Sequence, residues 1–414
     1  MTLTLIHTSD WHLGHELAGH PREAEHEAFL AWLLGQLDEQ EADVLLVTGD
    51  IYDVANPPVS AMRRLYAFLA AASARRPGLL TVILGGNHDS AARINLPAPL
   101  LDEARVRFVG NLPRKVRPDG EGTMPDHAAM LIPLPGKTGE IAAWLAAVPF
   151  CRPGDLGAEP LQSLYAGVAA AGAERAGSLP LILSGHLHVA GGAVSELSER
   201  RIVVGGEEAQ AASLFDPRAA YVALGHLHRA QDVAGPCPIR YAGSPFPLSA
   251  TERDYAHSIS VLRVSPGKFA LGEVPIPRPV PFLAVPARGA APLDAVVAEL
   301  EALPADEGLP RERHPFLEVT VAVDGPEPHL QARVLAALDG KAVRLTRILR
   351  QVATAPDANE GPLAGADLGD LAPEAVFAAL HGAKYGGNPP PDDLARAFAE
   401  LLIEVNTLPA GEPA

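Results

Sequence analysis

Cysteine is almost absent from this chain. Only Cys151 and Cys237 occur in 414 residues, which excludes a disulfide framework and a thiolate metal site and fits a reducing compartment. Long apolar runs are missing too. Pro, Gly or a charge cuts each of them well short of the ~20 residues that a membrane-spanning helix needs. The N-terminus, MTLTLIHTSDWH, has no basic lead and does not read as a signal peptide. A cytoplasmic protein without a membrane partner is expected. Positive charge is scarce: 33 Lys and Arg stand against 50 Asp and Glu, a formal net charge of −17. Nucleic-acid binders draw affinity from neutralising phosphates, so composition alone counts mildly against DNA. The basic pairs Arg63–Arg64, Arg75–Arg76 and Arg200–Arg201 read more readily as solvated faces than as docking sites.

What remains is an ordinary soluble composition, 48% hydrophobic and 20% charged, in a chain long enough for two or three domains. LTLIHTSD, ADVLLVTGD, LLTVILGGNHD, LPLILSGH and AAYVALGH are short branched-aliphatic runs, apolar at successive positions. Such runs are buried on both faces, as in inner strands of a layered α/β fold. Helical stretches, EAEHEAFLAWLLGQLDEQ and VSAMRRLYAFLAAASARR, separate the first three and imply parallel strands joined by crossovers. IRYAGSP reads as a further strand, with SISVLRV as its hairpin partner. Near residue 275 the texture becomes Pro-rich, in EVPIPRPVPFLAVPARGAAP, and a domain boundary is placed there. The expected organisation is therefore a main domain over 1–275, a small α+β domain over 276–352, and a linker with two amphipathic helices over 353–414. The only repeat is the tetrapeptide GHLH, found at 185–188 and 225–228.

The chemistry gathers at the strand ends. The five runs are followed in turn by Asp10 and His12, by Asp50, by Asn87 and His88, by His186, and by His226 with His228. In α/β sheets functional residues collect past the carboxyl ends of strands. One such Asp or His is a turn or cap residue; five strands delivering them to one edge point to metal. Two carboxylates, an amide oxygen and several imidazoles make a mixed N/O shell, suited to manganese, iron or zinc rather than to calcium or structural zinc. Seven ligands exceed one ion. They suit two ions ~4 Å apart with a shared carboxylate, the two-metal design for phosphoester hydrolysis. His12 lies two residues after Asp10, and His228 two after His226, so each pair shares a face of extended chain.

DWH, GDIYD, GGNHD, SGH and GHLH, in this order, resemble the signature of the calcineurin-like metallophosphoesterases. HTSDWHLGH, GDIYDVANPP, GNHDSAARI, YVALGHLHRAQ and RYAGSPFPLS are similar, more narrowly, to the SbcD family, nuclease subunits that work with the SMC-like ATPase SbcC. The resemblance implies a layered α/β metallophosphoesterase sandwich, an α+β cap domain and a C-terminal helical segment that binds the ATPase. It implies one metal on Asp10, His12, Asp50 and His228, and a second on Asp50, Asn87, His186 and His226, with Asp50 bridging. Manganese is favoured, with iron, zinc or magnesium as alternatives. His88 matches the family's catalytic histidine, which stabilises charge on the phosphate or protonates the leaving oxygen. Asp53 resembles the acid that orients that histidine; capping the loop after GDIYD is the other role open to it. His15 and Arg93 are candidates for substrate contact. His188 has no counterpart in the family and no coordination position left to fill, so it reads as a neighbour of the site. His7 reads as a core or supporting group.

The implied activity is two-metal DNA cleavage: exonuclease action on duplex ends and endonuclease action on single strands and hairpins. The implied assembly is a homodimer within a heterotetramer at the nucleoid, with the ATPase and dimerisation supplying the affinity for DNA that the acidic composition lacks. Two rivals are a phosphoesterase of small phosphodiesters or nucleotides, and a non-catalytic binding platform. The long C-terminal extension argues against the first. A platform would have lost ligands, and none is missing here.

Overall fold

A computed structural model describes residues 2–101, 104–156, 160–195, 209–306, 308–325, 327–352, 373–384, 389–391 and 394–399. The first apolar runs form strands β1 (Leu3–Thr8), β2 (Val44–Thr48), β3 (Leu80–Leu84) and β4 (Val106–Val109), all parallel. Later runs form β5 (Leu131–Pro135), β6 (Ile141–Ala146), β7 (Leu181–His186), β8 (Tyr221–Gly225), β9 (Gln231–Val233) and β10 (Ile239–Tyr241), of which β6, β7, β8 and β10 are mutually parallel. Two more strands, β11 (Ser258–Ser265) and β12 (Lys268–Pro275), complete two six-stranded sheets. Their orders are β12–β11–β1–β2–β3–β4 and β9–β10–β8–β7–β6–β5.

Alternation along each strand decides what packs where. Leu3, Leu5, Leu46, Val82 and Leu84 of the first sheet meet Leu145, Ile182, Tyr221 and Ala223 of the second in a core between the sheets. Ile6, Leu45, Val47 and Ile83 point the other way. They are covered by α1 (Glu23–Glu39) and α2 (Val59–Arg75), through residues such as Leu33, Leu65 and Phe68. Leu183, Val222 and Leu224 are covered in the same manner by α3 (Leu161–Ala176). Helix, sheet, sheet, helix is the layered sandwich that both-face burial predicts.

One pairing differs from expectation. SISVLRV is not the hairpin partner of IRYAGSP. Ile239–Tyr241 lies in the second sheet, beside β8 and β9, whereas Ser258–Ser265 lies antiparallel to β1 and β12 in the first. The connection between them, with Pro245 and Pro247, is far longer than a hairpin loop. It lets β11 cover the exposed flank of β1 instead.

The cap consists of β13 (Phe282–Val285), β14 (Ala291–Pro292), α4 (Leu293–Glu301), β15 (Phe316–Val323), α5 (Leu330–Ala337) and β16 (Arg344–Val352). Its strands form a four-stranded sheet around β15. The Pro-rich stretch after 275 changes the fold but does not part the chain: Met1–Val321 and Pro328–Leu349 form one compact unit. A buried cationic joint explains why. Phe316 packs against two guanidinium groups, Arg344 at 3.8 Å and Arg22 at 5.1 Å, and Arg22 also lies 4.5 Å from Phe246. Arg22 holds Glu25 through both oxygens at 2.8 and 2.6 Å and donates to the Pro247 carbonyl. His20 donates to the Leu345 carbonyl at 3.1 Å. Arg22→Ala would leave Glu25 buried without its counter-charge. A loss of about 3–5 kcal/mol is expected, read from the urea unfolding midpoint; a change below ~1 kcal/mol would contradict this account of the joint.

The second unit, Ala322–Glu327 and Arg350–Ala414, carries α6 (Pro373–Lys384). Residues 394–399 are helical, and the Phe377 and Phe398 rings stack at 4.2 Å. The amphipathic helices expected here are thus seen in part; the remainder of 353–414 lies outside the described residues. No described helix is long and apolar enough to cross a membrane.

Buried histidines give the fold an acid limit. His7, between Tyr221 Oη at 3.0 Å and Thr48 Oγ1 at 2.9 Å, is held down to about 3 by burial and by Arg240. His26 is held at about 3 by burial, Arg22 and Arg64, and His257 at about 4 chiefly by burial. All three must gain a proton on unfolding once the pH drops below the ordinary value near ~6.5, so stability is present above that value and lost as the pH falls. Asp89, raised to about 6 by burial and by Asp50, works in the opposite direction, but His15 and His226, also held at about 3, add to the loss. In the presence of a chelator, unfolding free energy should fall by at least ~2 kcal/mol per unit between pH 6 and 5. A midpoint independent of pH there would contradict it.

Candidate metal centre

The strand ends converge because the two sheets face each other with their carboxyl edges at the same end. The loop after β1 is zipped to the loop after β2. Asp10 N–H donates to the Gly49 carbonyl at 3.1 Å, His12 N–H to Asp50 at 3.0 Å and Leu13 N–H to Ile51 at 2.9 Å. These bonds hold a strained backbone. Asp10, His12, Asp50 and His226 have φ of 53°, 44°, 48° and 105°, in a region that costs a non-glycine residue about 1–3 kcal/mol and is concentrated at functional sites. Small residues let the sheets close in. Gly49 has φ of 99°, and a Cβ there would strike the His186 ring; a Cβ on Gly225 would strike the Thr48 carbonyl and Ser9.

Asp10, His12 and His228 bring ligand atoms within 4.8 Å of one another, as do Asp10, Asp50 and His186. Asn87 Oδ1 lies 2.8 Å from His186 Nε2 and 3.1 Å from His226 Nδ1. His186 Nε2 is 3.3 Å from Asp50 Oδ2, and His12 Nε2 is 3.6 Å from the same oxygen. All seven expected ligands therefore meet around Asp50, which the central strand delivers. His188 is in none of the ligand groups found among the described residues; its ring is 6.4 Å from that of His226.

The donor set suits cations. His12 Nε2 is buried and has no hydrogen-bond partner, an arrangement that costs free energy unless something meets its lone pair. Charge says the same. Burial lowers the His186 pKa, yet the Asp50 and Asp10 carboxylates raise it to about 9; burial raises that of Asp50, yet His186 and His12 pull it well below the carboxylate range. Two buried carboxylates thus require positive charge between them, and burial with that charge presses His226 to about 3.

Supporting residues aim the candidate ligands, as is usual at metal sites. His186 Nδ1 donates to the Thr48 carbonyl at 2.8 Å and His228 Nδ1 to Glu252 at 2.8 Å. His12 Nδ1 lies 3.2 Å from Asp53 Oδ1. Asp89, buried, accepts from Gly86, Ile51 and Tyr52 N–H at 2.9, 3.1 and 3.0 Å, which ties the Asp50 loop to the Asn87 loop. Sequence reasoning passed over Asp89 and Glu252. Asp89 could have been found as the last residue of GGNHD. Glu252 had no local signal, being 24 residues past His228 in a stretch, ATERDY, that reads as surface.

His88 stands beside the centre. Its N–H donates to Asp50 Oδ1 at 2.9 Å, and its Nδ1 donates to the Asp53 backbone carbonyl at 2.6 Å. The Asp53 contact therefore comes from the main chain, while the Asp53 carboxylate is on His12. His15 is half-buried near His12, 6.4 Å between rings, and burial, with Arg22, lowers it to about 3. Arg93 donates to Ala55 O at 3.1 Å and Asn56 Oδ1 at 2.6 Å, bracing the loop after Asp53.

Mixed-ligand clusters at the mouth of such a sandwich are the mark of phosphoesterases that use two metals. The family model described as calcineurin-like phosphoesterase matches residues 3–230, and the chain belongs to that class. A second model, described as the C-terminal domain of a type 5 capsule protein repressor, matches residues 278–384. The SbcD subunit of the SbcCD nuclease from Rhodobacter capsulatus is 42% identical over 392 residues, covering 91% of this chain and 94% of the relative. Its counterpart from Escherichia coli K12 is 31% identical over 368 residues, 84% of this chain and 85% of the relative. The protein is a member of the SbcD family of nuclease subunits.

The two GHLH copies differ in placement, His186 lying in a candidate ligand group and His188 in none among the described residues. His186→Ala should lower metal stoichiometry by one per chain, whereas His188→Ala should leave two, both measured by elemental analysis after dialysis. Equal losses would remove the distinction.

Proposed function

We propose that this chain hydrolyses phosphodiester bonds of DNA, at duplex ends and in single strands or hairpins, as the nuclease partner of an SbcC-like SMC-family ATPase in DNA repair and recombination. The observation that carries the reading is the meeting of Asp10, His12, Asp50, Asn87, His186, His226 and His228 beside His88, in a chain related over nine-tenths of its length to an SbcD nuclease. Two divalent ions are assigned to these residues, manganese favoured: Asp10, His12 and His228 on one, Asn87, His186 and His226 on the other, and Asp50 on both. When bound, such a pair supplies Lewis acidity and a water made acidic enough to attack at neutral pH.

The protein's own groups do the rest. His88 has its Nδ1–H fixed on the Asp53 carbonyl, so Nε2 is the atom turned to substrate. There it places a proton or a hydrogen bond on the phosphate or the leaving oxygen. Its N–H to Asp50 keeps it in register with the ligands. The Arg93 contacts to Ala55 and Asn56 hold the loop that carries this carbonyl, and His15 borders the same opening.

The cap, fixed to the main body through Phe316, is assigned to selecting DNA, and the helices after 373 to the ATPase. Leu96, Leu100 and Val59, exposed by 77%, 83% and 65%, are assigned to a homodimer contact. Light scattering that finds only monomers would remove the dimer, and co-purification with the ATPase coiled coil that survives deletion of 373–414 would remove the helix assignment. Manganese-dependent cleavage of a DNA hairpin, with the ATPase present, tests the activity. Turnover of small chromogenic phosphodiesters with no cleavage of any DNA would overturn it.

A further inference from the structure

We propose that Arg152 and Arg229 form a phosphate clamp, two exposed arginines that hold a DNA strand on either side of the candidate metal centre. The proposal rests on the reading of this chain as a DNA nuclease and adds residues that position its substrate.

Arg93, the arginine that the sequence offered for substrate contact, spends its donors on Ala55 and Asn56. Arg152 and Arg229 do not. Both are exposed, and among the described residues neither guanidinium has a hydrogen bond or an ion pair. Each rests on a ring instead. The Arg152 guanidinium lies 5.5 Å over Phe150, and that of Arg229 lies 5.7 Å over Tyr255. A guanidinium seated on an aromatic face is pre-organised and keeps its N–H fork for an anion, and that fork matches a phosphate.

The fold sets both beside the candidate ligands. The Phe150 ring is nearly perpendicular to that of His186, 6.1 Å between centroids, and Phe150 N–H donates to the Gly85 carbonyl at 2.9 Å, two residues before Asn87. Arg152 N–H donates to Asp155 Oδ2 at 2.8 Å, and the Asp155 carbonyl accepts from Arg114 at 2.7 Å, so the turn that presents Arg152 is pinned. Arg229 directly follows His228. The two arginines come after β6 and β8, which lie on opposite sides of β7, the strand that delivers His186. Two inter-strand steps are roughly 10 Å. Along one strand of DNA, with a phosphate every ~3.4 Å, that distance is about three nucleotides. A chain with a formal charge of −17 repels DNA as a whole, so uncommitted positive charge is needed where the strand must lie. Phosphate contacts of this kind fix register and carry no preference for sequence.

Binding of a fluorescein-labelled single-stranded oligonucleotide to the full-length protein, followed by anisotropy in manganese-free buffer across a range of salt, tests the clamp. Log affinity falls with log salt, and each lost phosphate contact should flatten that slope by about 0.7. Arg152→Ala and Arg229→Ala should each do so, and the double variant should flatten it by about 1.4. Arg152→Lys keeps the charge and should keep the slope. Arg175 also rests on a ring, 5.3 Å over Trp144, but from the last turn of α3, at the opposite end of the sheet; Arg175→Ala should leave the slope as in the wild type. In manganese-dependent hairpin cleavage with the ATPase present, each of the two clamp alanines should raise KM by about 10-fold or more and change kcat less. An unchanged slope and KM in either clamp variant, an equal flattening in Arg175→Ala, or no saturable binding by the wild type would overturn the clamp. Failure of the wild type to cleave any DNA would remove the proposed nuclease function instead, and the slopes, which need no cleavage, would still decide the clamp.

Discussion

His88→Ala is expected to reduce manganese-dependent hairpin cleavage by about 10²–10⁴-fold, the usual worth of a positioned proton donor or acceptor, while two ions still bind. The geometry separates the two effects. His88 touches the ligand set through its backbone N–H to Asp50, and alanine keeps that N–H. What it removes is the ring, held by the Asp53 carbonyl at 2.6 Å and pushed below its ordinary pKa chiefly by burial. Single-turnover cleavage under saturating manganese measures the loss, and elemental analysis of the same sample measures the metal. If both ions leave with the ring, His88 is a ligand and its role here is misassigned. If cleavage is unchanged, the leaving oxygen takes its proton elsewhere.

Asp50→Asn should be more severe. The amide preserves the shape and can still accept His88 N–H through its oxygen, so the loop has no steric reason to move. It removes the one anion that both sites share. The second site then has no charged ligand, and the first keeps only Asp10. Stoichiometry should fall from two to one or fewer at micromolar manganese, and cleavage should fall beyond the ~10²–10³-fold that losing one electrostatic group costs. Without metal the variant should also be less stable, because Asp50 is the buried partner of His186, at 3.3 Å, and its loss leaves that imidazole without a counter-charge. Wild-type stoichiometry and affinity in Asp50→Asn would refute the bridging role.

These two predictions draw on residues that were legible in different degrees. Asp50 and His88 stand out because each directly follows a buried apolar run, and parallel strands place their functional residues past the carboxyl end. Period and composition were enough for that. The Asp53 contact was not readable. Sequence places an acid three residues past Asp50, and the family resemblance offers it to His88; the fold gives His88 the Asp53 carbonyl and sends the carboxylate to His12. A backbone atom has no sequence signature, since every residue carries one. Glu252 escaped for a related reason. Its stretch reads as surface, and only the folding of 248–252 under His228 buries it. The pairing of SISVLRV was misread because local pattern identifies a strand but not its neighbour; β1 is 250 residues away.

By itself the sequence determined the class of the protein. Five apolar runs ending in Asp, His or Asn, the shortage of Cys and the change of texture at 275 are local properties, and local properties survive without coordinates. It also pointed to the candidate metal ligands, because each lies within a few residues of its strand. Tertiary structure alone decided that the five strands divide between two sheets, β1, β2 and β3 in one and β7 and β8 in the other, and that their ends meet. It decided which groups stand behind each imidazole. Strand ends are written in the order of the chain, but the field at a buried site is the sum over whatever folding brings within a few ångströms.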